Sequence, residues 1–382
     1  MADAAITTIL RILQRQYFQL VEPHQFRWPE DASLKRPDIQ AWIFTNMFDL
    51  SKVKSPPPDR YQLRVLKLLV AKLERSIIDP EEDVRPPLSY YGTAKLFNHF
   101  NISRDRDEIS DDLMSAMSAL LDSNVPSEAD SAQQKAFVTY SFPKHLVMGG
   151  SSDDRTVTLL EARSIISASG TTGLRTWEAA LLLGMYLTSP NGQSLIRDKR
   201  VLELGAGTGM LSILCAKQIE VAGIVATDGD EAVVDSIKTN LFLNDLDSNG
   251  SSTRVLRTAA LKWGFSLDAT TFPEDYGMEA PEVLLGADVT YDKSVIPRLV
   301  STMREFFQLN PALNVLISAT IRNEQTFETF LNACKRNGFS FKQIDFAAVP
   351  ERHQVGPFYP TSTPIQIWHI TRGRVREDAF AF

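Results

Sequence analysis

The sequence predicts an α/β protein built on a doubly wound, seven-stranded sheet, with an all-helical domain and a β-hairpin ahead of it. Three observations carry this prediction. An apolar run at residues 201–204 leads directly into three alternating glycines, and strand and helix patterns then alternate to residue 371. The last two strand patterns follow one another with no helix between them, so one of them should run antiparallel at or near the sheet edge. Such alternation is typical of a mostly parallel sheet with helices on both faces.

The elements of the sheet follow from their apolar patterns. Runs rich in β-branched residues predict strands, and spacings of three and four predict helices. The predicted strands are residues 201–204, 221–227, 254–260, 283–287, 314–319, 339–346 and 365–370. The predicted helices between them are residues 210–218, 230–241, 294–307 and 323–336.

A β-hairpin should open this second domain, for which we expect residues 136–382. Residues 136–141 and 155–162 are rich in Val, Thr and aromatic side chains, as strands are, and residues 148–154 form a glycine-rich connection between them. The hairpin therefore precedes the first strand of the sheet.

The first part of the chain has helical periodicity throughout. The segments are residues 6–20, 39–48, 61–78 and 113–121. Proline-rich breakers separate them, because proline cannot continue a helix. We therefore expect an N-terminal helical domain at residues 1–135, which serves substrate recognition or a structural role.

Composition limits the class of partner. The chain has 382 residues, with 43% hydrophobic and 23% charged, which is ordinary for a globular protein of two domains. A net charge of −7 argues against a surface built to neutralise phosphates. A protein or a small molecule is thus favoured as substrate over nucleic acid.

Metal sites, membrane anchors and export signals are not indicated. Cys215 and Cys334 lie in different predicted helices, and the five histidines show no ligand spacing, so we expect no metal. No apolar run approaches the roughly 18 residues that a membrane helix needs, and the first residues lack the pattern of a signal peptide. We expect a cytoplasmic monomer.

The three glycines at Gly205, Gly207 and Gly209 predict a nucleoside-binding turn. A side chain at either of the first two would block the approach of a cofactor to the backbone. The spacing differs from the G-x-G-x-x-G of dinucleotide sites. Asp228 follows the end of the next predicted strand, about 20 residues past the glycines, where a carboxylate can accept hydrogen bonds from ribose hydroxyls. An ordinary turn, a helix-capping role for Asp228 and an NAD site remain alternatives.

Two tryptophans are candidate walls of that site. Trp177 follows the loop Gly170-Thr-Thr-Gly just before the sheet, and Trp263 follows the third strand in Leu261-Lys-Trp-Gly. An indole there can stack on a nucleobase. The alternative for each is ordinary packing.

Asp288 and Tyr291 end the fourth strand, beside the glycine turn. This is where the reactive part of a bound cofactor would meet its acceptor. Methyltransferases that act on the exocyclic amine of a nucleic-acid base commonly hold that planar amine with the tetrapeptide Asp/Asn-Pro-Pro-Tyr/Phe. This tetrapeptide does not occur in the sequence, so a flipped base is disfavoured as substrate. Asp288 as a cap of the following helix is the alternative.

Four motifs in this order resemble the seven-strand (class I) protein-lysine methyltransferases, methyltransferase family 16. They are Thr172-Gly-Leu-Arg-Thr-Trp177-Glu-Ala-Ala, Val201-Leu-Glu-Leu-Gly-Ala-Gly-Thr-Gly209, Leu261-Lys-Trp-Gly and Asp288-Val-Thr-Tyr. The resemblance covers about residues 155–371 and implies S-adenosylmethionine as cofactor. The implied cofactor contacts are Trp177, Gly205, Ala206, Gly207, Asp228, Trp263 and Ala287. The implied acceptor residues are Asp288 and Tyr291.

The helical extension resembles one branch of that family. Its segments Ile9-Leu-Arg-Ile-Leu and Phe26-Arg-Trp28-Pro are similar to the branch that methylates a lysine of translation elongation factor 2. The resemblance implies that protein as partner. A small-molecule methyltransferase and a protein-binding module without cofactor are the alternatives.

Overall fold

The chain divides into two compact units, residues 1–131 and 132–382. The structure is a computed structural model, and it describes residues 2–77, 108–123, 127, 134–143, 155–162, 173–246 and 256–373. Each unit is described by itself.

The first unit is helical in its described part, as expected. Its helices are α1 (Ala2–Phe18), α2 (Asp31–Leu34), α3 (Pro37–Ile43), α4 (Asp59–Ile77) and α5 (Asp111–Asp122), with a π-helical turn at Phe44–Phe48. Tyr17 is fully buried, and its ring lies 5.1 Å from Phe48 and 5.8 Å from Tyr61, centroid to centroid. Aromatic packing of this kind joins α1, α4 and the π-helical turn in one core.

The second unit opens with the expected hairpin. Strands β1 (Lys135–Phe142) and β2 (Arg155–Ala162) pair antiparallel over their whole length, from Lys135 opposite Ala162 to Phe142 opposite Arg155. The expected connection at residues 148–154 lies outside the described residues.

Seven strands form the main sheet, as the sequence predicts. They are β3 (Arg200–Leu204), β4 (Gly223–Asp228), β5 (Leu256–Ala260), β6 (Val283–Ala287), β7 (Asn314–Thr320), β8 (Phe339–Ile344) and β9 (Ile365–Arg372). Their spatial order is β5-β4-β3-β6-β7-β9-β8. Strand β9 is antiparallel to both of its neighbours, and the pairs among β3 to β7 are parallel. The predicted antiparallel strand near the edge is confirmed.

Two helices precede the first strand of this sheet, and five more lie between its strands. They are α6 (Glu178–Leu187), α7 (Pro190–Ile196), α8 (Met210–Gln218), α9 (Glu231–Phe242), α10 (Phe272–Tyr276), α11 (Ile296–Leu309) and α12 (Glu324–Arg336). Sequence analysis did not predict the short α7 and α10. The chain leaves β3 toward β4 on one side, and β6 lies on the other, so a crevice opens at the carboxyl ends of these strands.

Candidate active site

A cavity of about 900 Å³ lies at the carboxyl ends of β3, β4 and β6. All nine site residues expected from the sequence line it, and all belong to the second unit. They are Trp177, Gly205, Ala206, Gly207, Asp228, Trp263, Ala287, Asp288 and Tyr291. The fold thus brings together residues from five separate segments of the chain.

The glycine turn has a backbone conformation and close contacts that a side chain at Gly205 or Gly207 would disrupt. Gly205 has φ +64°, and a Cβ there would lie 3.0 Å from Val289 Cγ1 and 3.4 Å from Trp263 Cζ2. Gly207 has φ +56°, and a Cβ there would lie 3.0 Å from the carbonyl oxygen of Gly173. Only glycine fits both the left-handed backbone and the close contacts.

Asp228 is bonded to this turn. Its Oδ2 accepts a hydrogen bond from the Gly207 backbone N–H at 3.1 Å, and its Oδ1 accepts one from Asp230 N–H at 3.1 Å. Burial is the largest influence on the Asp228 pKa and raises it. Asp230, rather than Asp228, caps α9 by accepting from Ala232 N–H at 2.9 Å. Each Asp228 oxygen retains a lone pair, so the carboxylate can accept further hydrogen bonds. We call Gly205, Gly207 and Asp228 the glycine end of the crevice.

Both tryptophans line the crevice, each with its own packing partners. Trp263 is half-buried, packs against the hydrophobic core and lies close to Gly205. Trp177 directly precedes α6, and the Arg322 guanidinium carbon lies 5.3 Å from the centroid of its ring. A cation at that distance is attracted to the ring face. Each indole therefore has a packing partner and also faces the cavity.

Asp288 is a buried carboxylate at the end of β6. Its side chain accepts hydrogen bonds from Thr320, at 2.8 Å from the backbone N–H to Oδ1 and at 3.0 Å from Oγ1 to Oδ2. Its backbone has φ +52°, a left-handed conformation that a residue other than glycine adopts at a cost of about 1 kcal/mol. Helix α11 begins after Val295 with no side-chain cap, so the helix-capping alternative for Asp288 is not supported.

Arg322 lies between two carboxylates. Its Nη1 is 3.5 Å from Asp288 Oδ2, and its Nη2 is 2.9 Å from Glu178 Oε2. Burial raises the pKa of Asp288, whereas the Thr320 hydrogen bonds and the Arg322 charge lower it, and the net direction is upward. We call Asp288, Thr320 and Arg322 the carboxylate end of the crevice.

Sequence reasoning missed Thr320, Arg322 and Glu178. Thr320 ends β7, the neighbour of β6, and Arg322 follows two residues later. Because the carboxyl ends of adjacent parallel strands meet at one edge, residues after β7 could have been included on that ground. Glu178 directly follows Trp177 within the first of the four motifs, but nothing in the sequence indicated that its side chain pairs with Arg322.

A second missed group ties the hairpin to the glycine turn. The Glu161 side chain is buried on β2 and accepts hydrogen bonds from Thr176 Oγ1 at 2.5 Å and from the Tyr140 hydroxyl at 3.2 Å. The Thr176 hydroxyl is in turn 2.7 Å from that of Thr208, which lies between Gly207 and Gly209. Burial raises the pKa of Glu161 to about 6. The hairpin thereby supports the turn through a buried carboxylate.

Two exposed aromatic side chains line the mouth of the cavity. Tyr291 is 64% exposed and was expected there, whereas Phe265 is 68% exposed and was not. Phe265 follows Trp263 by two residues, so its position could have been inferred from that motif.

The described part of the chain holds neither a candidate metal cluster nor a helix suited to cross a membrane. No three metal-binding side chains cluster among those residues. None of the described helices is long and apolar enough to cross a membrane.

A seven-stranded sheet with the antiparallel β9 next to its edge, and with a G-x-G-x-G turn and an acidic strand end at its crevice, is the arrangement of class I methyltransferases. Residues 160–337 match the lysine methyltransferase family. The chain is 42% identical to the protein-lysine N-methyltransferase EFM3 of Chaetomium thermophilum, over 94% of this chain and 96% of the relative. It is 31% identical to EFM3 of Saccharomyces cerevisiae, over 73% of this chain and 80% of the relative.

The chain belongs to the protein-lysine N-methyltransferases of this family. Its cofactor is S-adenosylmethionine, and its substrate is a protein. A human member, protein-lysine N-methyltransferase EEF2KMT, is 30% identical over 49% of this chain and 56% of its own length.

Proposed function

We propose that this chain methylates a lysine of translation elongation factor 2, with the acceptor amine held at Asp288 and Tyr291. The observation that carries the site is the buried Asp288 carboxylate, which faces the same cavity as the glycine turn. The N-terminal resemblance and the human relative named EEF2KMT support the choice of substrate. Elongation factor 2 places the reaction in the cytoplasm.

The glycine end fits the cofactor. Gly205 and Gly207 leave backbone accessible where a side chain would fill the space, and Asp228 offers acceptors to ribose hydroxyls. We propose that Trp263 stacks on the adenine and that Trp177 walls the opposite side, with Ala206 and Ala287 in contact with the nucleoside and the methionine part. When bound, S-adenosylmethionine supplies an activated methyl group on a positively charged sulfur.

The acceptor lysine starts in the wrong charge state. Its ordinary pKa of about 10.4 leaves roughly one amine in a thousand neutral near pH 7.4, which costs about 4 kcal/mol. A bare carboxylate beside the amine would stabilise the ammonium and increase that cost. The protein must therefore orient the amine without holding it in its charged form.

The carboxylate end meets both requirements. Thr320 already donates to both oxygens of Asp288, and the Arg322 charge lies 3.5 Å from Oδ2. We propose that Asp288 accepts one hydrogen bond from the amine and orients it, while Tyr291 lines the slot. Arg322 offsets the carboxylate charge, so the ammonium gains less stabilisation there. Glu178 also forms an ion pair with Arg322, and this pair determines how strongly the Arg322 charge acts on Asp288.

We propose that the N-terminal helical domain, residues 1–135, takes part in recognition of the protein substrate. The Chaetomium relative aligns over 94% of this chain, so the aligned part includes most of this domain. A small-molecule substrate would give the domain no such role, and the relatives support a protein substrate instead.

Elongation factor 1A is the specific competitor as substrate, because the mouse relative EEF1A lysine methyltransferase 3 is 34% identical over 41% of this chain. The test is to incubate the full chain with labelled S-adenosylmethionine and purified elongation factor 2 or 1A, and to locate the label by mass spectrometry. We expect methyllysine in factor 2 and none in factor 1A. Label in factor 1A alone would overturn the proposed substrate but not the proposed reaction. If the target is neither factor, labelling of a lysate that lacks the enzyme would identify it.

A further inference from the structure

We propose that Phe265 and Tyr291 form a docking surface for an extended segment of the substrate protein, and that Phe265 packs against an apolar side chain near the acceptor lysine. The inference rests on the proposed transfer to a lysine at Asp288, and it adds to that reaction a residue that selects the sequence around the lysine.

Both side chains are unusually exposed for their size. Phe265 is 68% exposed and Tyr291 is 64% exposed, yet both line the cavity that contains Asp288. Exposed aromatic side chains at the rim of a binding cavity are typical of protein interaction sites. Because a protein lysine reaches Asp288 only with its flanking residues at the mouth, those residues pass beside the two rings.

The loop that carries Phe265 is anchored at several points. Leu261 is buried, and its backbone N–H donates to the Asp228 carbonyl at 2.8 Å. Trp263 packs against the hydrophobic core, and the Gly264 N–H donates to Thr302 Oγ1 at 2.9 Å. The exposed ring therefore belongs to a loop held in place on both its backbone and its side chains.

Gly264 adds a further constraint on this loop. It has φ +94°, and a Cβ there would lie 3.1 Å from Arg298 Cγ, so the loop turns tightly against that side chain. A tight turn that ends on an exposed phenylalanine holds the backbone that presents the ring, which lowers the backbone entropy lost when a partner binds.

Tyr291 is presented in a similar way. Val289 and Thr290 before it are buried, and the Asp292 carboxylate after it accepts hydrogen bonds from the Ser294 backbone and hydroxyl at 2.8 Å each. Two rings on anchored segments can thus flank a polypeptide that crosses the mouth.

The chain offers a matched control for Phe265. Phe242 is 66% exposed, ends helix α9 in the same unit and does not line the cavity. Phe265→Ala and Phe242→Ala remove the same ring at nearly the same exposure, so a difference between them reports position and not a general loss of apolar surface.

The experiment measures kcat, KM for the protein substrate and Kd for S-adenosylmethionine for wild type and both variants. The protein substrate is purified elongation factor 2, or the factor that wild type labels instead. We expect Phe265→Ala to raise KM for the protein about fivefold or more, the effect of losing an interfacial aromatic hot spot. Its kcat should change less than about twofold and its cofactor Kd should not change. Phe242→Ala should match wild type.

Three outcomes would overturn the docking surface. The first is an unchanged KM in Phe265→Ala, and the second is an equal rise of KM in Phe242→Ala. The third is a lower sedimentation coefficient for free Phe265→Ala than for free wild type, which would assign the ring to self-association. Failure of wild type to label any factor would instead count against the proposed function, so the two failures are distinguishable.

Discussion

At the glycine end of the crevice, the groups that face the cavity are mostly main chain, and at the carboxylate end they are side chains. Gly205 and Gly207 are consecutive parts of one turn, and Asp228 bonds directly to it. Asp288, Thr320 and Arg322 come from two segments and hold one another by hydrogen bonds and charge. One end therefore depends on backbone conformation, and the other on a network that a single substitution alters.

The largest expected effect is at the carboxylate end. Asp288→Ala should lower kcat about 100-fold or more, because the amine loses its orienting acceptor. The Kd for S-adenosylmethionine, measured by calorimetry, should stay close to wild type. Asp288→Asn keeps the left-handed backbone accessible, because asparagine adopts it readily, but it removes the charge and also replaces one acceptor oxygen by an amide donor, so its kcat should fall as well.

Asp235→Ala is the control for Asp288. Asp235 is an exposed carboxylate on α9 that pairs with Lys238 and does not line the cavity. The kcat of Asp235→Ala should stay within about twofold of wild type, in the range of a surface change. Turnover of Asp288→Ala equal to that of Asp235→Ala would refute the acceptor role.

The hairpin support of the glycine end should appear in stability against pH. The pKa of Glu161 is raised from 4.5 to about 6 in the folded chain, so the folded state binds more protons than the unfolded state between those values. Stability from this group is thus present at low pH and is lost as pH rises from about 4.5 through 6. The loss is about 2 kcal/mol by pH 7.

Glu161→Gln removes that titration. In urea unfolding at pH 4.5 and pH 7, the free energy of unfolding should fall by about 2 kcal/mol more in wild type than in Glu161→Gln. The buried Glu203, with a pKa raised to about 7, titrates in both proteins and cancels in the comparison. Equal pH dependence in the two proteins would mean that Glu161 does not titrate differently on folding.

A smaller effect is expected for the side chain of the glycine end. Asp228→Ala should raise the Kd for S-adenosylmethionine about tenfold, the effect of losing hydrogen bonds to a charged acceptor. At saturating cofactor, kcat should fall far less. Asp235→Ala, which removes an exposed carboxylate of α9 paired with Lys238, is the control. A Kd in Asp228→Ala equal to that of the control would remove the ribose assignment.

The smallest effect should come from Arg322. Arg322→Gln removes the positive charge that offsets the Asp288 carboxylate. The carboxylate then stabilises the acceptor ammonium more strongly, and the pKa of the ammonium rises. The acidic limb of the pH profile of kcat, which reports the bound amine, should then move to higher pH by about half to one unit, since Arg322 is partly exposed. Glu178→Gln should move the limb the opposite way, and Arg304→Gln, an exposed control on α11, should leave it in place.

A shift of the acidic limb in the same direction for Arg322→Gln and Glu178→Gln would contradict the proposal that the Arg322 charge offsets the Asp288 charge. It would indicate that the pair acts through structure alone. Opposite movements would support the view that the carboxylate end tunes the charge of its substrate.

The difference between the two ends also explains what the sequence could predict. The glycine turn is local, and α8 and β6 were predicted with the bounds that the structure has. Thr320 and Arg322 reach Asp288 across 32 and 34 positions, and such contacts leave no periodic pattern. Glu161 likewise meets Thr176 across 15 positions of the chain. The short helices α7 and α10 have too few residues for periodicity to be read.

The most direct test of the account is a crystal structure of the full chain with S-adenosylhomocysteine. The account expects the ribose hydroxyls on Asp228, the sulfur beside the turn at Gly205, and an open channel from the sulfur to Asp288 and Tyr291. A cofactor bound elsewhere, or a sulfur separated from Asp288 by packed protein atoms, would contradict it.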